Sequence, residues 1–130
     1  MSEAGCNRTV LVVEDDPDVR EAIAEVLADS RYVTLHAANG AEALQRLRAA
    51  SVRPCLILLD MMMPTMDGWQ FRIEQQRDPA VKDIPVVVLS AHADRGETAA
   101  KMAAAEYLSK PVALERLLHV VERFCAISEE

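Results

Sequence analysis

Five side chains that can take part in chemistry stand directly after short apolar runs. The runs are TVLVV, CLILL, VVVL and EYLS, and the side chains that follow them are Glu14, Asp15, Asp60, Ser90 and Lys110. Carboxylates that share a site repel one another, by roughly 4 kcal/mol for two of them about 4 Å apart at an effective dielectric of about 20. Such a group needs a proton or a cation, and oxygen-only ligands suit Mg²⁺. The acidic residues therefore predict a magnesium site.

Ser90 and Lys110 extend this prediction from metal binding to phosphoryl chemistry. A carboxylate beside a metal ion, here Asp60, can attack phosphorus as a nucleophile and form an acyl phosphate. The Lys110 ammonium would stabilise the phosphoryl oxygens together with the metal charge, and the Ser90 hydroxyl would donate a hydrogen bond. These roles require residues that are far apart in the sequence to meet in the fold.

The apolar runs alternate with longer amphipathic stretches, which predicts strands alternating with helices. Three runs are nearly continuous Val, Ile and Leu, the pattern of strands that are covered on both faces. The strands are predicted at residues 9–13, 32–37, 55–59, 86–89 and 106–109. The first helix begins with Asp16 as N-cap and Pro17 in the first turn. The second follows Gly40 and the last carries an apolar stripe from Leu114 to Cys125. Helices at 67–77 and 95–104 are predicted mainly because they separate strands.

Five strands alternating with five helices predict an α/β fold with a parallel sheet and helices on both of its faces. In such a sheet, ligands bind beyond the carboxyl ends of the strands. The acidic residues, Ser90 and Lys110 fall at those ends, so we expect them to form one site.

Length and charge narrow the classes of protein. The chain has 130 residues, which fit a single domain, and a formal net charge of −7. No nucleic-acid partner is predicted, because a phosphate backbone requires a basic face. No apolar run is long enough to cross a membrane and the first residues lack a signal peptide, so we predict a cytoplasmic protein without a membrane partner.

Cysteines, histidines and methionines offer weaker signals. Cys6, Cys55 and Cys125 lack C-x-x-C spacing, and the latter two are interpreted as buried thiols in a reducing compartment. His92, two residues after Ser90, is either an influence on phosphate lifetime or an ordinary loop residue. The run of methionines at 61–63 could ligate Cu(I), but its place after a strand favours packing.

Four segments, in this order, resemble the receiver domain of two-component response regulators. They are LVVEDDP at 11–17, DMMMPTMDG at 60–68, VVVLSA at 86–91 and YLSKP at 107–111. The resemblance extends over nearly the whole chain. It implies a flavodoxin-like, doubly wound sheet of strand order 2-1-3-4-5. It also implies one stand-alone receiver domain at 9–126, between tails at 1–8 and 127–130.

The resemblance implies a role for each matching residue of the acidic site. Asp60 is similar to the phosphoacceptor. Asp15 corresponds to a direct Mg²⁺ ligand and Glu14 to a ligand that acts mostly through water. Met62 is expected to offer its backbone carbonyl to the metal. Lys110 corresponds to the phosphate-binding lysine.

Switching is implied by the same resemblance. Ser90 corresponds to the switch hydroxyl and Tyr107 to an aromatic side chain that rotates inward on activation. Pro111 corresponds to a proline that follows a cis peptide bond. Two departures are Ala103, where a glycine is usual, and Val112, where an aromatic residue is usual; both could alter the surface that reads out the switch.

The function implied is that of a phosphorylation-activated signalling switch and not of a classical enzyme. The phosphoryl donor would be a sensor histidine kinase or a phosphotransfer protein, and the output would be a downstream effector protein. The effector is expected on the face made by residues 95–126. Candidate contacts there are Lys101, Arg116, His119 and Arg123.

Two other kinds of protein could use these residues. A haloacid-dehalogenase-like, Mg²⁺-dependent phosphatase uses similar groups, and residues 16–18 mimic its opening D-x-D motif. That class, however, has its nucleophile on the first strand and its acidic pair late. A pseudo-receiver that acts only as a binding module is disfavoured, because the acidic residues, Ser90 and Lys110 are all present.

Overall fold

The computed structural model describes residues 8–63, 65–90 and 97–125. Strands and helices alternate along this part of the chain. The strands are β1 (Thr9–Val13), β2 (Val33–Ala37), β3 (Leu56–Asp60), β4 (Val86–Ser90) and β5 (Glu106–Ser109). The helices are α1 (Pro17–Asp29), α2 (Gly40–Ala49), α3 (Gly68–Gln76), α4 (Glu97–Lys101) and α5 (Leu114–Cys125). The predicted alternation of five strands with five helices is confirmed.

The strands form one parallel sheet in the order β2-β1-β3-β4-β5. Every residue of β1, β3 and β4 is buried, which explains why their sequences are continuously apolar. The edge strands β2 and β5 are partly exposed and more polar. The predicted doubly wound α/β fold and its strand order are therefore confirmed.

Helices cover both faces of the sheet, because alternate strand residues point to opposite sides. On one face, Ile23 and Leu27 of α1 and Leu117 and Val121 of α5 pack against the sheet. On the other face, α2, α3 and α4 pack through residues that include Phe71. The carboxyl ends of the strands stay open between these two layers.

Helix starts follow the local sequence. The carboxylate of Asp16 accepts hydrogen bonds from the backbone N–H groups of Asp18 and Val19, which confirms it as the cap of α1. Asp67 and Gln70 form a reciprocal capping box at the start of α3. Helix α4 ends at Lys101, earlier than predicted, because the chain forms a turn at residues 102–104.

Cys55 and Cys125 form a disulfide, with Cα atoms 5.5 Å apart. The interpretation of these residues as two unlinked thiols is wrong for this structure, which shows the oxidised, linked form. They are 70 positions apart, and only the packing of the end of α5 beside the start of β3 brings them together. No spacing signal in the sequence predicts that contact.

None of the helices in the described residues combines the length and the apolar character needed to span a bilayer.

Candidate functional site at the carboxyl ends of the strands

The predicted site residues meet at one edge of the sheet. Glu14 and Asp15 follow β1, Asp60 and Ser90 end β3 and β4, and Lys110 follows β5. One carboxylate oxygen from each of Glu14, Asp15 and Asp60 lies within 4.8 Å of the others. Glu14 and Asp60 are buried, with 1% and 3% of their surface exposed, whereas Asp15 is exposed. Two carboxylates of the cluster are therefore buried, and the third lies at the surface.

Lys110 joins this cluster from the opposite side. Its Nζ atom lies 3.0 Å from Glu14 Oε1 and 3.1 Å from Asp60 Oδ1. Its backbone N–H donates to the carbonyl of Ser90 across the β4–β5 ladder, with a distance of 2.8 Å. The pairing of β4 with β5 thus fixes the backbone of Lys110, and its side chain reaches both buried carboxylates.

Burial and charge shift the ionisation of two of these groups. Burial raises the pKa of Glu14, and the negative charge of Asp60 adds to the rise, while a hydrogen bond from Lys110 opposes it. Burial alone would lower the pKa of Lys110. The hydrogen bond to Glu14 and the charges of Asp60 and Glu14 outweigh burial, so the pKa of Lys110 is raised. Two buried carboxylates therefore contact a single ammonium, and negative charge remains in excess.

Asp60 and Ser90 each present polar atoms to this edge. The backbone N–H of Met62 donates to Asp60 Oδ1 at 3.3 Å, which orients the carboxylate. The Oγ atom of Ser90 is buried and has no hydrogen-bond partner within the described part of the chain. A buried hydroxyl without a partner costs free energy, so a ligand oxygen that accepts from it would be favoured.

The cluster opens into a cleft of about 420 Å³. The acidic residues, Ser90 and Lys110 line it together with Asp16, Met61, Met62, Trp69, Leu89 and Thr98. Met62 is 81% exposed at the rim, whereas Met61 and Met63 are buried in the core. The preference for packing over Cu(I) binding therefore agrees with the burial of two of the three methionines.

Close backbone contacts hold the loops that carry these groups. A Cβ atom on Gly68 would lie 3.0 Å from the carbonyl oxygen of Asp60 and 2.5 Å from Met61 Sδ. A Cβ atom on Gly40 would lie 2.7 Å from Met66 Cγ, and the N–H of Gly40 donates to the Met66 carbonyl at 2.8 Å. Glycine at these two positions lets α2 and α3 begin directly against the loop after Asp60.

The donor set and the charge fit Mg²⁺. Three carboxylates within 4.8 Å of one another offer only oxygen ligands, and the exposed Asp15 leaves room for waters that Mg²⁺ retains. One lysine does not neutralise three carboxylates. Asp16 lines the cleft but does not belong to the three-carboxylate group, in agreement with its role as a cap.

Other predicted residues lie further out or outside the described residues. Tyr107 is partly buried on β5, packs against the core and lines a separate surface depression with Arg116. The Lys110–Pro111 peptide bond is cis, as the resemblance implied. His92 lies outside the described residues, as do residues 95, 96 and 126 of the expected output face.

Arg20 was missed by sequence reasoning. Its guanidinium donates to the backbone carbonyl of Glu14 at 2.7 Å, and this fixes the peptide that links the two acidic residues of the β1–α1 loop. The available signal was its place near the start of α1, within side-chain reach of that loop. Trp69 and Thr98, which line the cleft, were also not predicted as site residues.

Comparisons with known proteins agree with this geometry. The family model described as the response regulator receiver domain matches residues 10–122. The response regulator MprA of Mycobacterium ulcerans is 40% identical over 111 residues, which are 84% of this chain and 46% of that protein. The chain thus spans about half the length of the curated relatives of this kind.

Solved structures of similar fold include two receiver proteins. The signal receiver domain of a signal transduction histidine kinase from Syntrophus aciditrophicus has a TM-score of 0.81 at 30% identity, covering 94% of this chain and 93% of that one. The chemotaxis response regulator CheY4 of Vibrio cholerae has a TM-score of 0.80 at 28% identity, covering 95% and 99%.

The chain belongs to the response regulator receiver domain family. This family is a signalling family, and its receiver domains bind Mg²⁺ at the acidic pocket. The haloacid-dehalogenase alternative finds no support in these comparisons.

Proposed function

We propose that this protein is a phosphorylation-activated signalling switch in which Asp60 accepts the phosphoryl group. The contacts of Lys110 carry the proposal most directly. Its ammonium lies 3.0 to 3.1 Å from the carboxylates of Glu14, directly after β1, and Asp60, the last residue of β3. These are the strand ends where a parallel sheet binds ligands. The protein assists its own phosphorylation and dephosphorylation but has no separate substrate to turn over, so it is not a classical enzyme.

In the proposed transfer, a carboxylate oxygen of Asp60 forms a bond to phosphorus while the P–N bond of a donor phosphohistidine breaks. Lys110 then exchanges its contact with Asp60 for contacts with the phosphoryl oxygens, where its charge stabilises the transferred group. Ser90 donates its hydroxyl hydrogen to a phosphoryl oxygen. Among the described residues Ser90 Oγ has no hydrogen-bond partner, which supports this role.

Glu14, Asp15 and Asp60 would hold Mg²⁺, together with the backbone carbonyl of Met62. When bound, the ion would supply positive charge that offsets the excess of carboxylates and stabilises the negative charge of the phosphoryl group. Arg20, through its hydrogen bond to the Glu14 carbonyl, keeps the two acidic residues of the β1–α1 loop in place.

The output would pass through the face made by residues 95–126 of a receiver domain at 9–126. Ser90 moves toward the phosphoryl group and Tyr107 turns into the space that is freed. Lys101, Arg116 and His119 are exposed on this face and are available for an effector protein, while Arg123 is paired with Glu106 at 3.1 Å.

The phosphoryl donor is proposed to be a sensor histidine kinase or a phosphotransfer protein, and the proposed compartment is the cytoplasm. Disulfides are rare there, because glutathione and thioredoxin keep thiols reduced. We therefore regard the Cys55–Cys125 bond as the oxidised form of a pair that is reduced in a reducing compartment.

The central test is labelling with acetyl phosphate or a phosphorylated histidine kinase. Wild-type protein should form an alkali-labile phosphoryl adduct in the presence of Mg²⁺, and Asp60→Asn should not, because the amide is a poor nucleophile. Asp67→Asn is the matched control: it is the same substitution, outside the carboxylate cluster, and asparagine is an equally good N-cap. Equal labelling of Asp60→Asn and the control would contradict the proposal.

The switch is tested with beryllofluoride, a stable phosphoryl mimic. Amide NMR shifts are expected around Asp60 and also on the output face, at residues such as Tyr107. Ser90→Ala should reduce the shifts at Tyr107 while the shifts around Asp60 remain. Shifts confined to the Asp60 pocket in the wild type would contradict the proposed output face.

A further inference from the structure

Arg72 of α3 reaches across to the turn between α4 and β5. Its Nε atom donates to the carbonyl of Met102 at 3.1 Å and one terminal nitrogen donates to the carbonyl of Ala103 at 3.0 Å. Its other terminal nitrogen donates to the side-chain oxygen of Gln75 at 2.8 Å. The half-buried guanidinium is thus held between its own helix and a separate turn.

Gln75 fixes the position of this guanidinium. Its side chain is completely buried, and its amide nitrogen donates to the carbonyls of Val81 at 3.0 Å and Ile84 at 3.1 Å. All of its side-chain polar groups are therefore satisfied, and no alternative position is open to the amide without leaving a buried polar group unpaired. Arg72 is consequently anchored to the segment that leads into β4.

The turn held by Arg72 contains an unusual residue. Ala103 has a φ of 57°, in the left-handed region that favours glycine. Ala104 N–H donates to Ala99 O at 2.9 Å and Ala103 N–H to Ala100 O at 3.2 Å, the two hydrogen bonds of a Schellman helix end. This turn explains why α4 ends at Lys101. Arg72 adds two charge-assisted hydrogen bonds to a turn that lacks the favoured glycine.

The other end of α3 lies on the acidic site. Gly68 donates its N–H to the carbonyl of Met61 at 3.3 Å and packs against the carbonyl of Asp60, and Trp69 lines the cleft. One nine-residue helix therefore joins the peptide of Asp60 to the turn at Met102 and Ala103. This connection does not pass through Ser90 or Tyr107.

We propose that Arg72 is a positioning residue that couples the Asp60 site to the α4–β5 turn through α3. It gives the output face a second connection to the site, parallel to the one through Ser90 and Tyr107. A displacement at the start of α3 is carried by the helix, and the two hydrogen bonds of Arg72 carry it to the turn. The inference rests on the proposed function, because phosphorylation is its input.

Four variants separate coupling from simple stabilisation of the turn. Arg72→Met removes the hydrogen bonds and keeps the aliphatic stem. Arg72→Met combined with Ala103→Gly relieves the left-handed residue without restoring the link to α3. Arg72→Lys keeps the charge but cannot bridge both carbonyls and Gln75. Arg77→Met is the matched control, since Arg77 is an exposed residue just after α3 whose ion pair is with Glu74.

Hydrogen exchange reports on the turn itself. In Arg72→Met we expect roughly a tenfold or larger loss of protection at the amides of residues 103–105, because two charge-assisted hydrogen bonds are lost. The double variant should recover most of this protection, since glycine adopts the left-handed conformation without a Cβ penalty. Unchanged protection in Arg72→Met would show that Arg72 does not hold the turn and would overturn the proposal.

Beryllofluoride-induced NMR shifts report on coupling. Wild type and Arg77→Met should show shifts at residues 102–105 that persist in Ser90→Ala. Both Arg72→Met and the double variant should lose them while keeping the shifts around Asp60, and Arg72→Lys should lose most of them. Recovery in the double variant would mean that Arg72 only stabilises the turn, which overturns the proposal. No shifts at residues 102–105 in the wild type would overturn it as well. An absence of shifts around Asp60 itself would instead overturn the proposed function, and the coupling with it.

Discussion

Asparagine in place of Asp60 is expected to make the Mg²⁺-free protein more stable, although it removes the proposed phosphoacceptor. Asp60 has two carboxylate neighbours within 4.8 Å, and each such pair is worth about 3.5 kcal/mol of repulsion at an effective dielectric of about 20. Its attraction to Lys110 at 3.1 Å offsets about 5 kcal/mol of this sum. The difference is a net repulsion of about 2 kcal/mol.

Solvent reduces this figure, because Asp15 is exposed and its charge is screened. We therefore expect Asp60→Asn to raise the free energy of unfolding by less than about 2 kcal/mol when a chelator removes divalent ions. Saturating Mg²⁺ should close or reverse the gap. At about 100 times its Kd, a bound ion stabilises the folded state by about 2.7 kcal/mol, and the variant has lost one of the proposed metal-binding carboxylates.

Urea denaturation measures both quantities, with the fluorescence of Trp69, the single tryptophan, as the probe. Asp67→Asn is again the control, and its stability should not depend on Mg²⁺ differently from that of the wild type. Equal or lower stability of Asp60→Asn in the absence of divalent ions would refute the view that the pocket is held under charge repulsion.

Two further predictions concern pH and redox state. Because burial raises the pKa of Glu14 above its usual 4.5, its contribution to the stability of the Mg²⁺-free protein is present below pH 4.5 and is lost as the pH rises through the folded-state pKa. Mg²⁺ affinity should rise over the same range as Glu14 loses its proton; calorimetric titration checks this, and an identical pH profile in Glu14→Gln would contradict it. Reduction of Cys55–Cys125 opens a link across 70 positions and should lower the free energy of unfolding by up to about 4 kcal/mol. Reductant should have no such effect on Cys125→Ser, and three free thiols in air-oxidised wild type would contradict the prediction.

The central sheet and the convergence of the acidic residues, Ser90 and Lys110 at its edge were predictable because each depends on a local pattern. Buried parallel strands require continuous apolar runs, and side chains at their carboxyl ends converge whatever the helices do. What the pattern could not predict is the difference in burial between the two acidic residues that follow β1. Glu14 is buried against Lys110, whereas Asp15 is exposed, and only the path of the loop decides this.

Long-range side-chain contacts were the least predictable part. Helix α3 has weak apolar periodicity because Arg72 and Gln75 occupy inward positions and satisfy backbone carbonyls of other segments. Because Arg72 and Gln75 are polar, the sequence pattern alone would predict that they are exposed to solvent. The disulfide was missed for the same reason, since neither Cys55 nor Cys125 has a local signal for its partner.

The order of the strands along the chain also determines the stage of folding at which the site is completed. Glu14 and Lys110 are 110 − 14 = 96 positions apart, and Lys110 arrives on β5, an edge strand that pairs with β4 alone. A folding intermediate in which β5 has not yet docked has its acidic residues but lacks the ammonium and the full pocket. Contacts between such distant residues form late and slowly. A kinase that requires the complete pocket would therefore phosphorylate only molecules that have finished folding, so incompletely folded chains would send no signal.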